Sequence, residues 1–276
     1  MKQIFTFLLF TFYTLFAVGQ TFPIVYDFTT TSDNQGQYTG TLQNGAILET
    51  LGSHGILNLG NNDGYLDLGS QFGNMIQSLD DNFTISATIY VPTSTDISGN
   101  GNFIWCFSQS STDGYMFINA KDMRYAITQS TWWGETSVNA STALPEGQWL
   151  NIIYEQEGST GTVYLNNVAK AQNDAVNIHP INLSQLQNNY LGRSCYNGDA
   201  YLKNTRYADF RVYNTSLTAS ERSTLVETVS ELNRMEAGIF TDEDAIDYDI
   251  NSISIPKVAY KSINLPTTGT LGSRIT

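Results

Sequence analysis

The stretch Asn82-Phe83-Thr84-Ile85-Ser86-Ala87-Thr88-Ile89-Tyr90-Val91 alternates strictly, with Phe83, Ile85, Ala87, Ile89 and Val91 on one face and Thr84, Ser86, Thr88 and Tyr90 on the other. A period of two places successive side chains on opposite sides of an extended chain, so this is a strand with one buried face. Runs of the same kind recur at 103–108, 115–119, 123–129, 149–156, 162–165, 189–193 and 207–213. Ser98-Gly99-Asn100-Gly101 and Thr112-Asp113-Gly114 separate them as turns, and Asn166-Asn167 reads as a tight hairpin. In the last run Ala208, Phe210 and Val212 are expected to face the core, and Asp209 and Arg211 to face outward. Many short strands at regular spacing make an all-β sandwich. One helix follows: Thr218-x-x-Glu221 has the spacing of a capping box, and Leu225, Val226, Val229 and Leu232 recur on one face, suited to packing on the sandwich.

The chain changes character at both ends. Met1-Lys2 precedes a mostly apolar run from Ile4 to Val18 that reaches small residues at Ala17-Val18-Gly19. This has the form of a secretory signal peptide over 1–19, shorter than a spanning helix and without a basic stop-transfer flank. The expectation is a secreted, periplasmic or cell-surface protein without membrane insertion, whose main body is 20–236. The acidic stretch Thr241-Asp242-Glu243-Asp244-Ala245-Ile246-Asp247-Tyr248-Asp249 marks a linker over 237–252, and 253–276 reads as the first strands of a further unit, too few residues to bury a core. With 26 acidic against 13 basic residues the net charge is −13, which repels phosphate backbones and excludes nucleic acid as a partner. Only 14% of residues are charged, whereas Tyr, Phe, Gly and small polar residues are abundant, a surface suited to neutral polar ligands such as sugars.

Several separated motifs resemble the laminin-G-like, concanavalin A-like lectin/glucanase jelly rolls attached to bacterial polysaccharide-degrading enzymes. They are Tyr26-Asp27-Phe28, Gly64-Tyr65-Leu66-Asp67-Leu68-Gly69, Phe83 to Ala87, Trp149 two residues after Gly147, and Tyr164-Leu165-Asn166. Tyr190-Leu191-Gly192-Arg193-Ser194, Asp199-Ala200-Tyr201 and Ala208-Asp209-Phe210-Arg211-Val212-Tyr213-Asn214 complete the series. Ala208 stands where an acidic residue is frequent, and Asn167 where a turn glycine is usual. The resemblance implies a jelly-roll sandwich of two antiparallel sheets with one C-terminal helix. The tail, Ile263 to Thr276, is similar to the start of a bacterial immunoglobulin-like domain. Together they imply the N-terminal part of a secreted multidomain glycoside hydrolase of arabinofuranosidase or arabinanase type, acting on plant-type polysaccharide, with its catalytic domain downstream and missing from this chain.

Binding chemistry is legible in two loops. Adjacent rings at Trp132-Trp133-Gly134-Glu135 would point opposite ways on a strand, so at least one is expected to be exposed as a platform for a polysaccharide or oligosaccharide, with core packing as the competing role. Tyr196, Asn197 and Asp199 are expected at the same rim as partners for sugar hydroxyls, unless Asp199 pairs with Arg193. Glucanases of the resembling fold carry Glu-x-Asp-x-Glu on one strand; Glu155 and Glu157 share only the spacing of two and sit beside a glycine-rich turn, where a solvated approach is expected. No catalytic residue is therefore assigned, and His54 and His179 are read as loop residues. The resemblance also implies a structural calcium ion between the first and last strands, held by Asp27 and Asp209, with an Asp209–Arg211 pair as the rival. Cys106 and Cys195 are the only cysteines, and a disulfide and two buried thiols both remain open.

Overall fold

A computed structural model describes residues 21–238. The expected signal peptide at 1–19, all but the first two residues of the expected linker at 237–252, and the expected immunoglobulin-like start at 253–276 lie outside the described residues. In chain order the elements are β1 (Ile24–Tyr26), β2 (Thr41–Gln43), β3 (Ile47–Leu51), β4 (His54–Asn58), β5 (Tyr65–Asp67), α1 (Gly69–Gln77), β6 (Asn82–Tyr90), β7 (Phe103–Ser108), β8 (Tyr115–Asn119) and β9 (Arg124–Thr128). They continue with β10 (Thr136–Asn139), β11 (Trp149–Glu157), β12 (Thr160–Leu165), β13 (Val168–Asn173), β14 (Asn188–Leu191), β15 (Arg206–Tyr213) and α2 (Ala219–Glu236).

The strands form two sheets with antiparallel pairing throughout. One has the order β13-β12-β11-β6-β15-β4-β3 with β1 added along β15, and the other β10-β9-β8-β7-β14-β5-β2. The main core lies between them. Phe83, Ile85, Ala87 and Ile89 of β6 meet Trp105 and Phe107 of β7 and Met116 and Ile118 of β8 there, as the alternation requires. The Tyr207 hydroxyl donates to the Ile104 carbonyl at 2.8 Å, tying β15 to the opposite sheet. The β12–β13 hairpin turns at Asn166 and Asn167 with φ of 48° and 62°, the left-handed pair that a two-residue hairpin needs.

Helix α2 closes the other side of the eight-stranded sheet. Its N-terminus carries the expected capping box, with the Glu221 N–H donating to the Thr218 hydroxyl at 3.2 Å and the Thr218 N–H to the Glu221 carboxylate at 2.7 Å. Leu225 packs on Ile153, while Val229 and Leu232 pack on Ile56, Trp149 and Ala208. Polar contacts fix both ends of the helix. Arg222 pairs with both oxygens of Glu155 at 2.9 Å and lies 4.2 Å from the Tyr164 ring centre. Asn233 exchanges hydrogen bonds with the backbone of Trp149, at 2.8 and 3.0 Å.

Three expectations are corrected here. Glu155 is 6% exposed, because α2 covers it and Arg222 neutralises it; only Glu157 is solvated. Ala208 faces α2 rather than the inter-sheet core, because an irregularity in the pairing of β15 with β6, between Tyr207 and Asp209, reverses the alternation. His54 is in β4, 3.3 Å from Glu231 of α2 though without hydrogen-bond alignment. Both departures from the resembling pattern acquire a reason. An acidic residue at 208 would put charge under Val229 and Leu232, and the Asn167 amide bridges the hairpin to α2 by donating to the Ala219 carbonyl and accepting from Arg222, both at 3.2 Å.

Arg222→Ala would leave a buried carboxylate without its partner, so it is expected to lower stability by about 3 kcal/mol, seen as a drop in Tm of roughly 10 °C. Equilibrium urea unfolding checks this, and a change under about 0.5 kcal/mol, the ordinary scatter of surface substitutions, would show the pair to be solvated. Glycine ordinarily favours such a turn, yet Asn167→Gly should destabilise by about 1 kcal/mol, because two hydrogen bonds to α2 are lost. A higher Tm for that variant would contradict the bridge.

Candidate functional site

Strands β7, β8 and β9 spend alternate residues on the inter-sheet core, Trp105 and Phe107, Met116 and Ile118, and Tyr125 and Ile127. The residues between them, Cys106, Tyr115, Phe117 and Ala126, form a second cluster on the outer face of the seven-stranded sheet. A register shift between Phe103 and Trp105 brings Phe103 to this outer cluster too, where its ring stacks on Phe117 at 3.9 Å.

Two loops close over this face. After Gly192 donates its N–H to the Ile104 carbonyl at 3.1 Å, the segment 193–201 runs back across the sheet. Arg193 lies 4.7 Å and 4.8 Å from the ring centres of Tyr190 and Tyr65 and donates to the Tyr65 hydroxyl at 2.9 Å. Cys195 joins the cluster around Cys106, and Tyr196 meets Tyr115 edge-on with the two hydroxyls 3.0 Å apart. The Ser194 hydroxyl accepts the Tyr196 N–H at 3.0 Å and donates to the Asp199 carboxylate at 2.7 Å, which shapes the loop from inside. Asn102 N–H to the Ala200 carbonyl and Ala200 N–H to the Asn100 carbonyl, 2.9 and 3.0 Å, fasten its far end.

The second loop makes one 3-10 turn, Trp132–Gly134. A side chain at Gly134 would meet the Ser130 hydroxyl at 2.6 Å. Trp132 and Trp133 are 54% and 80% exposed and stack on each other at 3.7 Å, which excludes the core role for both. Glu135 turns back onto the sheet: it accepts from the Tyr115 hydroxyl at 2.6 Å and pairs with Arg124, whose guanidinium lies 5.4 Å from the Phe117 ring centre. Burial, then the hydrogen bond to Glu135 and that to Tyr196, raise the Tyr115 hydroxyl far above its ordinary value, so it stays a proton donor.

Between the loops is an open groove of about 500 Å³. Trp132, Tyr196, Phe103, Tyr115 and Phe117 supply its aromatic lining, and Asn100, Asn119, Asp122, Arg124, Glu135 and Asp199 its polar one. The structure thus brings Trp132, Tyr196 and Asp199 together. Trp133 only backs Trp132, and Asn197 is exposed on the same loop without lining the groove. Arg193 does not pair with Asp199; the tyrosines hold it instead. Sequence reasoning did not reach Phe103, Tyr115, Phe117, Arg124 and Glu135. The available signal was Tyr115-x-Phe117-x-Asn119, aromatic and amide groups on the face opposite Met116 and Ile118.

A metal was expected at Asp27 and Asp209. The two are neighbours across β1 and β15, where Tyr26 pairs with Phe210. Both Asp209 oxygens, however, accept from the Arg211 Nε at 2.8 Å, and the Asp27 carboxylate accepts from the Thr29 N–H and hydroxyl at 3.0 and 2.7 Å. No three His, Cys, Asp or Glu side chains are grouped to hold a metal among the described residues. With both of its oxygens on the Arg211 guanidinium, Asp209 is committed to an ion pair rather than presented to a calcium ion.

No helix among the described residues is long and apolar enough to cross a membrane. Among curated proteins, none matches the sequence. Among solved structures, domain 4 of AbnA, a GH43 extracellular arabinanase from Geobacillus stearothermophilus, in complex with arabinotriose, aligns over 74% of this chain and 97% of its own at 15% identity and a TM-score of 0.58. A structure of botulinum neurotoxin type C, concerned with cell entry dependent on two ganglioside molecules, aligns over 71% of this chain at 13% identity and a TM-score of 0.56. The binding domain of botulinum neurotoxin serotype D/C aligns over 75% at 11% identity, also with a TM-score of 0.56. The chain spans 48% and 51% of those two toxin chains, and at such identities the likeness is one of fold. Residues 59–221 match the family Laminin_G_3, and with the two antiparallel sheets and the C-terminal helix in place, the chain belongs to the concanavalin A-like lectin/glucanases superfamily.

Proposed function

We propose that this chain is a non-catalytic carbohydrate-binding module, the N-terminal part of a secreted multidomain glycoside hydrolase acting on plant-type polysaccharide. One observation carries the reading: an exposed groove that combines the stacked Trp132–Trp133 platform with hydrogen-bonding groups already fixed by their neighbours. The flat apolar face of a sugar ring suits an aromatic face, and its hydroxyls suit amides and paired charges. The Arg124 charge is answered by Glu135, and Asp122 and Asp199 add negative charge against Lys121. An uncharged glycan is favoured over an acidic one on that balance. The extracellular arabinanase domain solved with arabinotriose supports the same direction for fold and ligand class.

The groove also holds carboxylates, so the rival reading is a jelly roll that hydrolyses glycosidic bonds itself. Glu135 is committed to Arg124 and Tyr115, which suits a structural and binding role. An adhesion or spacer module without sugar affinity is the third reading. Release of reducing sugar from a polysaccharide panel by the purified chain would establish the hydrolase, and absence of retention on every glycan would establish the spacer.

Trp132→Ala should weaken retention on arabinan or arabinoxylan about fivefold, since stacking is worth on the order of 1 kcal/mol, whereas Trp133→Ala should have a smaller effect. Neither should shift Tm appreciably, because both rings are exposed. Affinity electrophoresis and thermal melts on the same variants check this; unchanged retention for Trp132→Ala moves the site elsewhere. On the metal, excess chelator should leave Tm unchanged, because an ion that binds the folded state would stabilise it by mass action. A chelator-induced fall that is absent in Asp209→Asn would restore calcium to Asp27 and Asp209.

A further inference from the structure

We infer that Cys106 and Cys195 are the two halves of a disulfide that locks the loop carrying Tyr196 and Asp199 onto the floor of the groove. Cys106 is an outward residue of β7, flanked on its own face by Tyr190 of β14 and Phe117 of β8. Cys195 is not on a strand, so nothing in the sheet register dictates its place. The residues around it do: Arg193 is seated on Tyr190 and Tyr65, and Tyr196 is seated on Tyr115. A segment anchored to the sheet on both sides must lay the residue between those anchors over the strand between them, which is β7. Cys106 and Cys195 are accordingly buried in one cluster with Phe103, Tyr115 and Phe117. The two thiols are neighbours within that cluster, and the Cys195 side chain helps to keep the Cys106 thiol protonated.

The pair needs an oxidant, and the chemistry assigns its class: an oxidised dithiol, either a protein disulfide carrier or a low-molecular-weight disulfide. Both S–H bonds are lost and one S–S bond forms. The two electrons and two protons pass to the oxidant, whose own disulfide becomes two thiols. Burial, followed by the hydrogen bond to Cys195, raises the Cys106 thiol well above its ordinary value. Thiolate is therefore scarce in the folded protein, and exchange there is slow. Oxidation belongs to folding, before Tyr196 closes over the pair, rather than to the finished domain.

The bond has a consequence for the groove. In the dithiol state the loop 193–201 is held by hydrogen bonds and ring contacts alone; in the oxidised state Tyr196 and Asp199 flank a covalent tether to β7. The bond would close a loop on the order of 90 residues, long enough for a large entropic restriction of the unfolded chain.

The full chain is isolated from an oxidising periplasm, and in parallel refolded from the reduced state in a glutathione redox buffer, then denatured without reductant and treated with a thiol alkylating agent. The expected result is no alkylation, an intact mass lower than the reduced chain by about 2 Da, and a linked peptide pair containing Cys106 and Cys195. Reduction should lower Tm by about 10 °C, and the Cys106→Ser/Cys195→Ser chain should melt at one temperature whether or not reductant is present. Alkylation of both cysteines, or a separate glutathione adduct on each, in protein with native circular dichroism would overturn the inference. Bond formation is read without ligand, so its outcome is independent of the glycan assay; weaker glycan retention after reduction would add that the tether shapes the groove.

Discussion

Both sheets must turn one side toward the core they share, and this requirement decides what every other residue can do. Strand β6 gives Phe83, Ile85, Ala87 and Ile89 to that core, which leaves Thr84, Ser86 and Thr88 to the opposite face. Strand β11 gives Leu150, Ile152 and Tyr154, which leaves Trp149, Ile153 and Glu155 facing α2. Strands β7 and β8 leave Cys106, Tyr115 and Phe117 on the outside of the other sheet. A slip of one residue in any of these would exchange the two sets. The outer faces are therefore what the core does not use, and each is apolar enough to need a cover. The eight-stranded sheet is covered by a helix and the seven-stranded sheet by loops, and a cover of loops leaves a groove.

The same requirement explains what was legible in the sequence. Long strands with one apolar face, β6, β11 and β15, show their period directly, and the capping box announces α2. The nine residues of α1 carry Gly69 and Gly73 and have no side-chain cap, so nothing local marks a helix. Gly73 is there because a side chain would meet the Leu186 carbonyl at 2.3 Å, a contact that only the folded chain reveals. Ala208 was assigned to the wrong face because one irregular residue reverses an alternation, and local patterning carries no mark of it. Glu155 was read as solvated because its partner, Arg222, is 67 residues away.

Within the groove the division is similar. Aromatic and polar residues in glycine-bearing loops, Trp132, Tyr196 and Asp199, are conspicuous without a structure because loops have no core to fill. Phe103, Tyr115 and Phe117 look like ordinary strand residues, and only the sheet order shows that their face meets a loop rather than the second sheet. Arg124 and Glu135 are 11 positions apart, and their pairing depends on the β9–β10 hairpin folding Glu135 back onto β9. Asn197, by contrast, had the right residue type on the right loop but lies outside the lining, since the turn built on Ser194 directs Tyr196 and Asp199 instead.

Among the described residues, two of the three arginine–glutamate pairs, Arg222–Glu155 and Arg124–Glu135, each have a tyrosine donor and lie one on each outer face. In both, a tyrosine hydroxyl donates to the glutamate, Tyr164 to Glu155 at 3.3 Å and Tyr115 to Glu135 at 2.6 Å. In both, the guanidinium also lies over a ring, 4.2 Å from Tyr164 for Arg222 and 5.4 Å from Phe117 for Arg124. What separates them is the cover. Glu155 also accepts the Leu217 N–H at 2.8 Å at the entry to α2, so that pair is enclosed and its role is to hold the helix. The Arg124–Glu135 pair has Trp132 beside it and the groove in front of it, with no helix above. Its orientation is fixed by Tyr115 and Phe117, so little side-chain entropy would remain to be lost if a ligand hydroxyl docked against it. The same paired chemistry is enclosed where a helix closes over it and left facing the groove where only loops do.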